Sequence, residues 1–149
     1  MHIWVDADAC PGPIKDILFR VAERLKLSLT LVANKPLRTP PSPYIRAIQV
    51  PQGFDVADER IAAEVAAGDL VVTADIPLAA AVIAKGGTVI DPRGEQFSTE
   101  NIQERLALRN FMEQQRAAGV QTGGPAPFSA RDQKAFADRL DRLLARMPR

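Results

Sequence analysis

Ile3-Trp4-Val5-Asp6-Ala7-Asp8-Ala9-Cys10-Pro11 reads as a short buried strand that stops on a carboxylate and turns into a helix. Apolar residues fill the strand, Asp6 closes it, and Asp8 follows two residues on. Pro11 and Pro13 then preset φ for a first helical turn, where a missing N–H sacrifices no hydrogen bond. The chain repeats this device. Leu70-Val71-Val72-Thr73-Ala74 runs to Asp75, and Thr88-Val89-Ile90 runs to Asp91. In an open α/β sheet, ligands bind beyond the carboxyl ends of the strands. Acids in that position, beside helix starts, form the chain's leading candidate site.

Outward from that stretch, strand 1 covers residues 2–6, and residues 12–26 carry Ile14, Ile17, Leu18, Val21, Ala22 and Leu25 at helical spacing. A second strand is expected over 29–33. Residues 34–44 hold four prolines and exclude a regular element; loops of that length are often functional. A third strand is expected over 46–50, a helix over about 56–67 with Gly68 as its stop, and a fourth strand over 70–74. Pro77 opens a short helix through Lys85, Gly86-Gly87 closes it, and strand 5 covers 88–91. Ser98 or Thr99 caps a helix to about Ala118, residues 119–128 connect, and Ser129 with Asp132 has the form of a capping box for a last helix to Met147. Strands separated by helices imply a parallel sheet with right-handed crossovers. The fold class is therefore α/β: a five-stranded, mainly parallel sheet followed by two C-terminal helices, with the strand order taken to be the common half-Rossmann one, 3-2-1-4-5.

At 149 residues the chain fits one domain, with an α/β core over 1–94 and a helical part over 95–149. A net charge of +1 gives no reason to expect a polyanion or a membrane as partner. Residues 131–149 hold 6 Lys/Arg against 3 Asp/Glu, which reads as a solvated helix face. The single Cys10 excludes an internal disulfide and fits a reducing, cytoplasmic setting. No apolar run approaches the roughly 20 residues of a membrane span, and the first residues read as a charged strand rather than a leader.

In the order 3-2-1-4-5, strands 1 and 4 are neighbours at the point where the order reverses. Strand spacing is about 4.8 Å, so Asp6 and Asp75 would sit side by side and could share one ion. Without an ion, one of two carboxylates that close must take up a proton. Hard oxygen donors with no His or Cys cluster point to Mg²⁺ or Mn²⁺, with Asp8 ligating through water. Asp55 and Asp58 fall at the start of the helix before strand 4. Each reads either as a helix-capping acid or as a rim ligand, with capping favoured for Asp55. Asp91 reads as a turn residue, and Cys10 as a buried thiol. His2, the one histidine, makes a His-based triad or a zinc hydrolase improbable, and no phosphate-binding glycine fingerprint is present.

Four stretches together carry a resemblance. They are V-D-A-D-A-C-P (5–11), G-F-D-V-A-D-E-R-I (53–61) continuing into V-V-T-A-D-I-P-L-A (71–79), D-P-R-G (91–94), and G-G-P-A-P-F-S-A-R-D-Q-K-A-F (123–136). Across almost its whole length the chain resembles the bacterial YaiI/YqxD family, which is grouped with PIN-like nuclease domains. The resemblance implies a PIN-like three-layer α/β/α fold with an acidic metal centre. The PIN and NYN acids at the end of strand 1, at the start of the helix before strand 4, and just after strand 4 match Asp6, Asp58 and Asp75; Asp8 fits the same region. PIN nucleases commonly carry a further acid in a D-x-D-F-like run after strand 4. Here that run is Asp75-Ile76-Pro77-Leu78, without a second acid.

Three functions are expected from these readings. The first is a Mg²⁺- or Mn²⁺-dependent nuclease acting on RNA or single-stranded nucleic acid, with Asp6, Asp58 and Asp75 as catalytic ligands and Lys35, Arg38, Arg46 and Arg93 as phosphate contacts. The second is a non-catalytic nucleic-acid- or protein-binding module with a degenerate metal site. The third is a phosphatase of the haloacid-dehalogenase type using the D-x-D after strand 1, although Cys10-Pro11 follows where that pattern has Thr or Val.

Overall fold

Side chains alternate across a strand, and β1 (His2–Asp6) uses that alternation to feed two cores. Ile3 and Val5 join one apolar cluster and Trp4 the other. The computed structural model describes residues 1–124 and 126–147; Pro125, inside the 119–128 connection and the 123–136 stretch, lies outside the described residues with Pro148 and Arg149. The other strands are β2 (Ser28–Ala33), β3 (Ile45–Gln49), β4 (Leu70–Val72), β5 (Thr88–Ile90) and β6 (Gln96–Phe97). The sheet order is β3-β2-β1-β4-β5-β6. The first five strands pair in parallel, as expected, and β6 pairs antiparallel to β5. The expected count of five is thus corrected to six. Two residues, Gln96 and Phe97, are too few to display a period of two, so β6 leaves no mark in the sequence.

Helices α1 (Gly12–Leu25) and α5 (Ala130–Arg146) cover the Ile3/Val5 face, where Ile14, Leu18, Phe136 and Leu140 are buried. Helices α2 (Val56–Glu64), α3 (Ile76–Ala84) and the first turn of α4 (Ile102–Ala117) cover the Trp4 face through Ile61, Leu78, Val82 and Ile102. The result is a three-layer α/β/α arrangement with a helix pair on one face and a helix trio on the other. The capping box at Ser129 and Asp132 forms, and the stripe Phe136, Leu140, Leu143, Leu144 packs on the sheet. No helix among the described residues is long and apolar enough to cross a membrane.

Several boundaries differ from the sequence reading. α2 stops at Glu64, because Val65 turns extended and the Asp69 carboxylate takes the Ala66 N–H at 2.9 Å. α4 begins at Ile102 rather than after Ser98 or Thr99. Asn101 holds the N-cap position, and its side chain accepts from the Ser98 N–H at 2.8 Å. β4 ends at Val72, two residues early, which bears on the site below.

The Asp91-Pro92-Arg93-Gly94 turn pins α5 to the sheet. Asp91 accepts the N–H groups of Arg93 and Glu95, both at 2.9 Å. Gly94 sits at φ +91°, and a Cβ there would lie 2.6 Å from the backbone carbon of Ala135 in α5. Gly94→Ala should therefore destabilise the protein by about 1–3 kcal/mol through overpacking and left-handed strain. Gly12→Ala, with nothing within 4 Å of the added carbon, should leave the midpoint of urea unfolding essentially unchanged. Comparison of the two midpoints checks this.

Candidate metal centre

The acids are placed by three different local devices. Asp6 ends β1, and the chain then makes a short 3-10 turn, Ala7–Ala9, before α1. The β1–β4 register ends at Val5 opposite Val72, so the next residue beside Asp6 is Thr73. The Thr73 hydroxyl donates to Asp6 Oδ2 at 3.0 Å and accepts the Asp75 N–H at 3.0 Å. This corrects the expected arrangement: Thr73, not Asp75, stands directly beside Asp6, and Asp75 is held one step further out. Asp75 is also the N-cap of α3, its Oδ1 accepting the Leu78 N–H at 2.8 Å. Capping occupies one oxygen and leaves the other for the site, so the two readings of Asp75 hold together.

Asp55 is where the structure adds most. It occupies the N-cap position of α2, but its side chain makes no capping hydrogen bond. Its backbone is left-handed, at φ 63° and ψ 9°, a conformation that Asp tolerates better than most residues. Asp58 lies three residues on in the first turn, on the same helix face. Asp55, Asp58 and Asp75 each offer a carboxylate oxygen, and these oxygens lie within 4.8 Å of one another. Asp6 lies nearby, lining a hollow together with Asp55 and Asp58. Of the three acids expected together, the structure groups Asp58 and Asp75, adds Asp55, which had been read as favouring a helix cap, and leaves Asp6 beside that group rather than in it. The signal available in the sequence was the Asp55-x-x-Asp58 spacing at a helix start on the ligand rim.

Asp8 is near but occupied differently. Both of its oxygens accept the Asn34 N–H, at 2.9 and 3.2 Å, which ties the start of the Pro-rich loop to the turn after β1. Asp6, Asp8, Asp55 and Asp58 line a hollow of about 160 Å³. On the other side of Asp55 and Asp58, a cleft of about 380 Å³ is walled by Asp75, Phe54 and Arg109.

The electrostatics follow from this crowding. Burial, then the Asp6 and Asp75 charges, push the Asp58 carboxyl from 3.8 up to about 8. Burial also raises Asp6, against the Thr73 hydrogen bond that favours its charged form. Among the described residues, none of the four acids has a Lys or Arg ion-pair partner. All the donors are oxygens, and an ion with bonds of about 2.1 Å suits such a set after small side-chain rotations.

The expected phosphate contacts divide. Lys35 and Arg38 are exposed on the loop after Asn34, and among the described residues neither forms an ion pair. Arg46 donates to Thr30 Oγ1 at 3.2 Å, in a group with His2 towards the amino end of β1 and away from the acids. Arg93 binds Asp132 at 2.8 Å and the Ala126 carbonyl, and lies over the Phe128 ring. It clamps the C-terminal segment. Asp91 serves its turn, and Cys10 is buried with its thiol pushed up to about 12, so neither joins the site.

A family model described as "Uncharacterized BCR, YaiI/YqxD family" matches residues 4–146. A UPF0178 protein of Bordetella avium is 67% identical over 146 residues, covering 98% of this chain and 95% of its own. One of Burkholderia lata is 67% identical over 146 residues, covering 98% and 97%, and one of Dechloromonas aromatica is 65% identical over 148 residues, covering 99% of each. No solved structure matches the chain.

The raised Asp58 carboxyl makes stability depend on pH. Folded, it holds its proton to about pH 8; unfolded, it releases it near 3.8. Between those values the folded chain binds more protons, so this group's contribution is complete below pH 3.8 and is lost as pH rises to about 8. In chelator, Asp58→Asn should therefore gain in Tm over the parent as pH rises from 5 to 8. Excess Mn²⁺ should close the gap by raising the parent. A difference that does not change with pH would refute the assignment.

Proposed function

The chain belongs to the YaiI/YqxD family, and on that premise we propose that it is a Mg²⁺- or Mn²⁺-dependent phosphodiesterase acting on RNA or single-stranded nucleic acid. The observation that carries this reading is the set of carboxylates at Asp55, Asp58 and Asp75, with Asp6 nearby, none of which has a Lys or Arg ion-pair partner among the described residues. Self-repulsion of this kind opposes folding, and a divalent cation is the economical remedy. The donors fit a hard ion rather than zinc, since the one histidine lies at the far end of β1 and the one cysteine is a buried thiol.

In this reading Asp55, Asp58 and Asp75 hold the ion and Asp6 lies beside them. Thr73 fixes the distance between Asp6 and Asp75 through its single hydroxyl. The bound ion would supply an activated water and stabilise the leaving oxygen. Asp58, whose carboxyl burial and like charge push up to about 8, would give up its proton on holding a cation. Asp55 takes the place of the acid missing from the run after Asp75. The aspartyl-phosphate alternative is disfavoured because Asp8, the second acid of that pattern, is engaged with the Asn34 amide.

The absence of that second acid favours a binding module with a degenerate site as the other reading, and one titration separates the two. Calorimetry with Mn²⁺ should give a Kd tighter than about 1 mM, near −4 kcal/mol, for the phosphodiesterase; weaker binding supports the module. Purified protein with Mn²⁺ should cleave labelled single-stranded RNA. Asp58→Asn and Asp75→Asn should each lower the rate at least about 100-fold, the upper end of the loss on removing a supporting residue of a metal site. Equal cleavage by parent and variants would identify a contaminant.

A further inference from the structure

A phenylalanine stands in the open at the edge of the acids. Phe54 is 91% exposed and belongs to neither apolar cluster. It precedes Asp55, whose left-handed backbone turns the chain into α2. Its ring forms one wall of the 380 Å³ cleft whose other lining includes Asp58, Asp75, Leu78 and Arg109. That volume falls within the range of about 300–1,000 Å³ typical of small-ligand sites. The charged lining is otherwise acidic, and Arg109 is its one cation among the described residues. Arg109 is loosely engaged, 4.0 Å from Glu113 and 3.3 Å from the side-chain oxygen of Asn110.

We propose that Phe54 and Arg109 form a subsite for one unpaired nucleotide beside the acids, with the base stacked on Phe54 and a phosphate met by Arg109. The proposal rests on the phosphodiesterase reading and narrows its substrate class to single strands. An exposed aromatic face takes a base only when that base is free of its own stack and pair. A phosphate entering an acidic cleft needs a cation on its path, and Arg109 across from the acids supplies it.

The test is equilibrium binding of a labelled single-stranded RNA, an abasic oligomer of the same length and the matching duplex, in Ca²⁺ buffer. Phe54→Ala should weaken single-strand binding about tenfold and leave the abasic oligomer unaffected. Phe54→Trp should retain the affinity. Arg109→Ala should weaken both oligomers and lower the salt dependence by about one ion. Phe54→Ala removes no packed side chain and should keep the parent's Tm, which separates lost binding from lost folding. No single-strand binding by the parent, an unchanged Kd in Phe54→Ala, an equal loss on the abasic oligomer, or a preference for duplex each overturns the proposal. Mn²⁺-dependent cleavage with Phe54-independent binding would sink the subsite and leave the phosphodiesterase standing. Phe54-dependent binding without cleavage would do the reverse.

Discussion

One hydroxyl proton sets the acid end of this molecule. Thr73 Oγ1 donates to Asp6 and accepts the Asp75 amide, so two carboxylates from different elements are held at a fixed offset. Thr73 is itself 1% exposed, which gives that hydrogen bond little competition from water. Beyond Val72 the Thr73 N–H still donates to the Ile90 carbonyl at 3.1 Å, so backbone and hydroxyl together fix this residue where the chain turns towards α3. Everything placed on the rim, including the cap at Asp75 and the approach of Asp58, is measured from this point.

The two ends of the sheet show what distinguishes a structural acid from one left available. At the opposite end, Asp69 is 8% exposed and accepts from the His2 N–H, the Trp4 indole and the Ala66 N–H. Its charge is fully provided for by fixed donors, and it holds β1 to the loop before β4. At the rim, Asp58 lies against the charges of Asp6 and Asp75 and has no ion-pair partner among the described residues. Burial and like charge act on it in the same direction. Fixed donors thus surround Asp69, whereas at the rim they reach Asp6 and Asp75 and leave Asp58 crowded by like charge.

The same contrast applies to apolar residues. Ile3, Trp4 and Val5 are buried because a sheet flanked by helices on both faces hides alternate side chains equally well. Phe54 sits on a connection and escapes both faces, so its exposure reflects position rather than a failure of packing. Arg93, read as a rim cation, is held instead by Asp132 and Phe128, and Gly94 beside it permits α5 to approach the sheet.

The sequence by itself determined the α/β class, the run of five parallel strands and the starts of most helices, while the strand order followed the common arrangement for such a sheet and the start of α4 was misplaced. These depend on local signals: the apolar run Ile3-Trp4-Val5, the 3.6 period of Ile14 to Val21, the prolines at 11, 13 and 77, and the Ser129–Asp132 box. It also singled out Asp6, Asp58 and Asp75, because acids at strand ends and helix starts face the ligand rim in any such sheet. Only the tertiary structure decided that Asp55 turns away from its helix and joins them, that Thr73 intervenes between Asp6 and Asp75, and that Gln96-Phe97 adds a sixth strand. The physical reason is common to all three. A left-handed backbone, a hydrogen bond between residues 67 positions apart and a two-residue pairing are each settled by what lies across space, and none has a period along the chain.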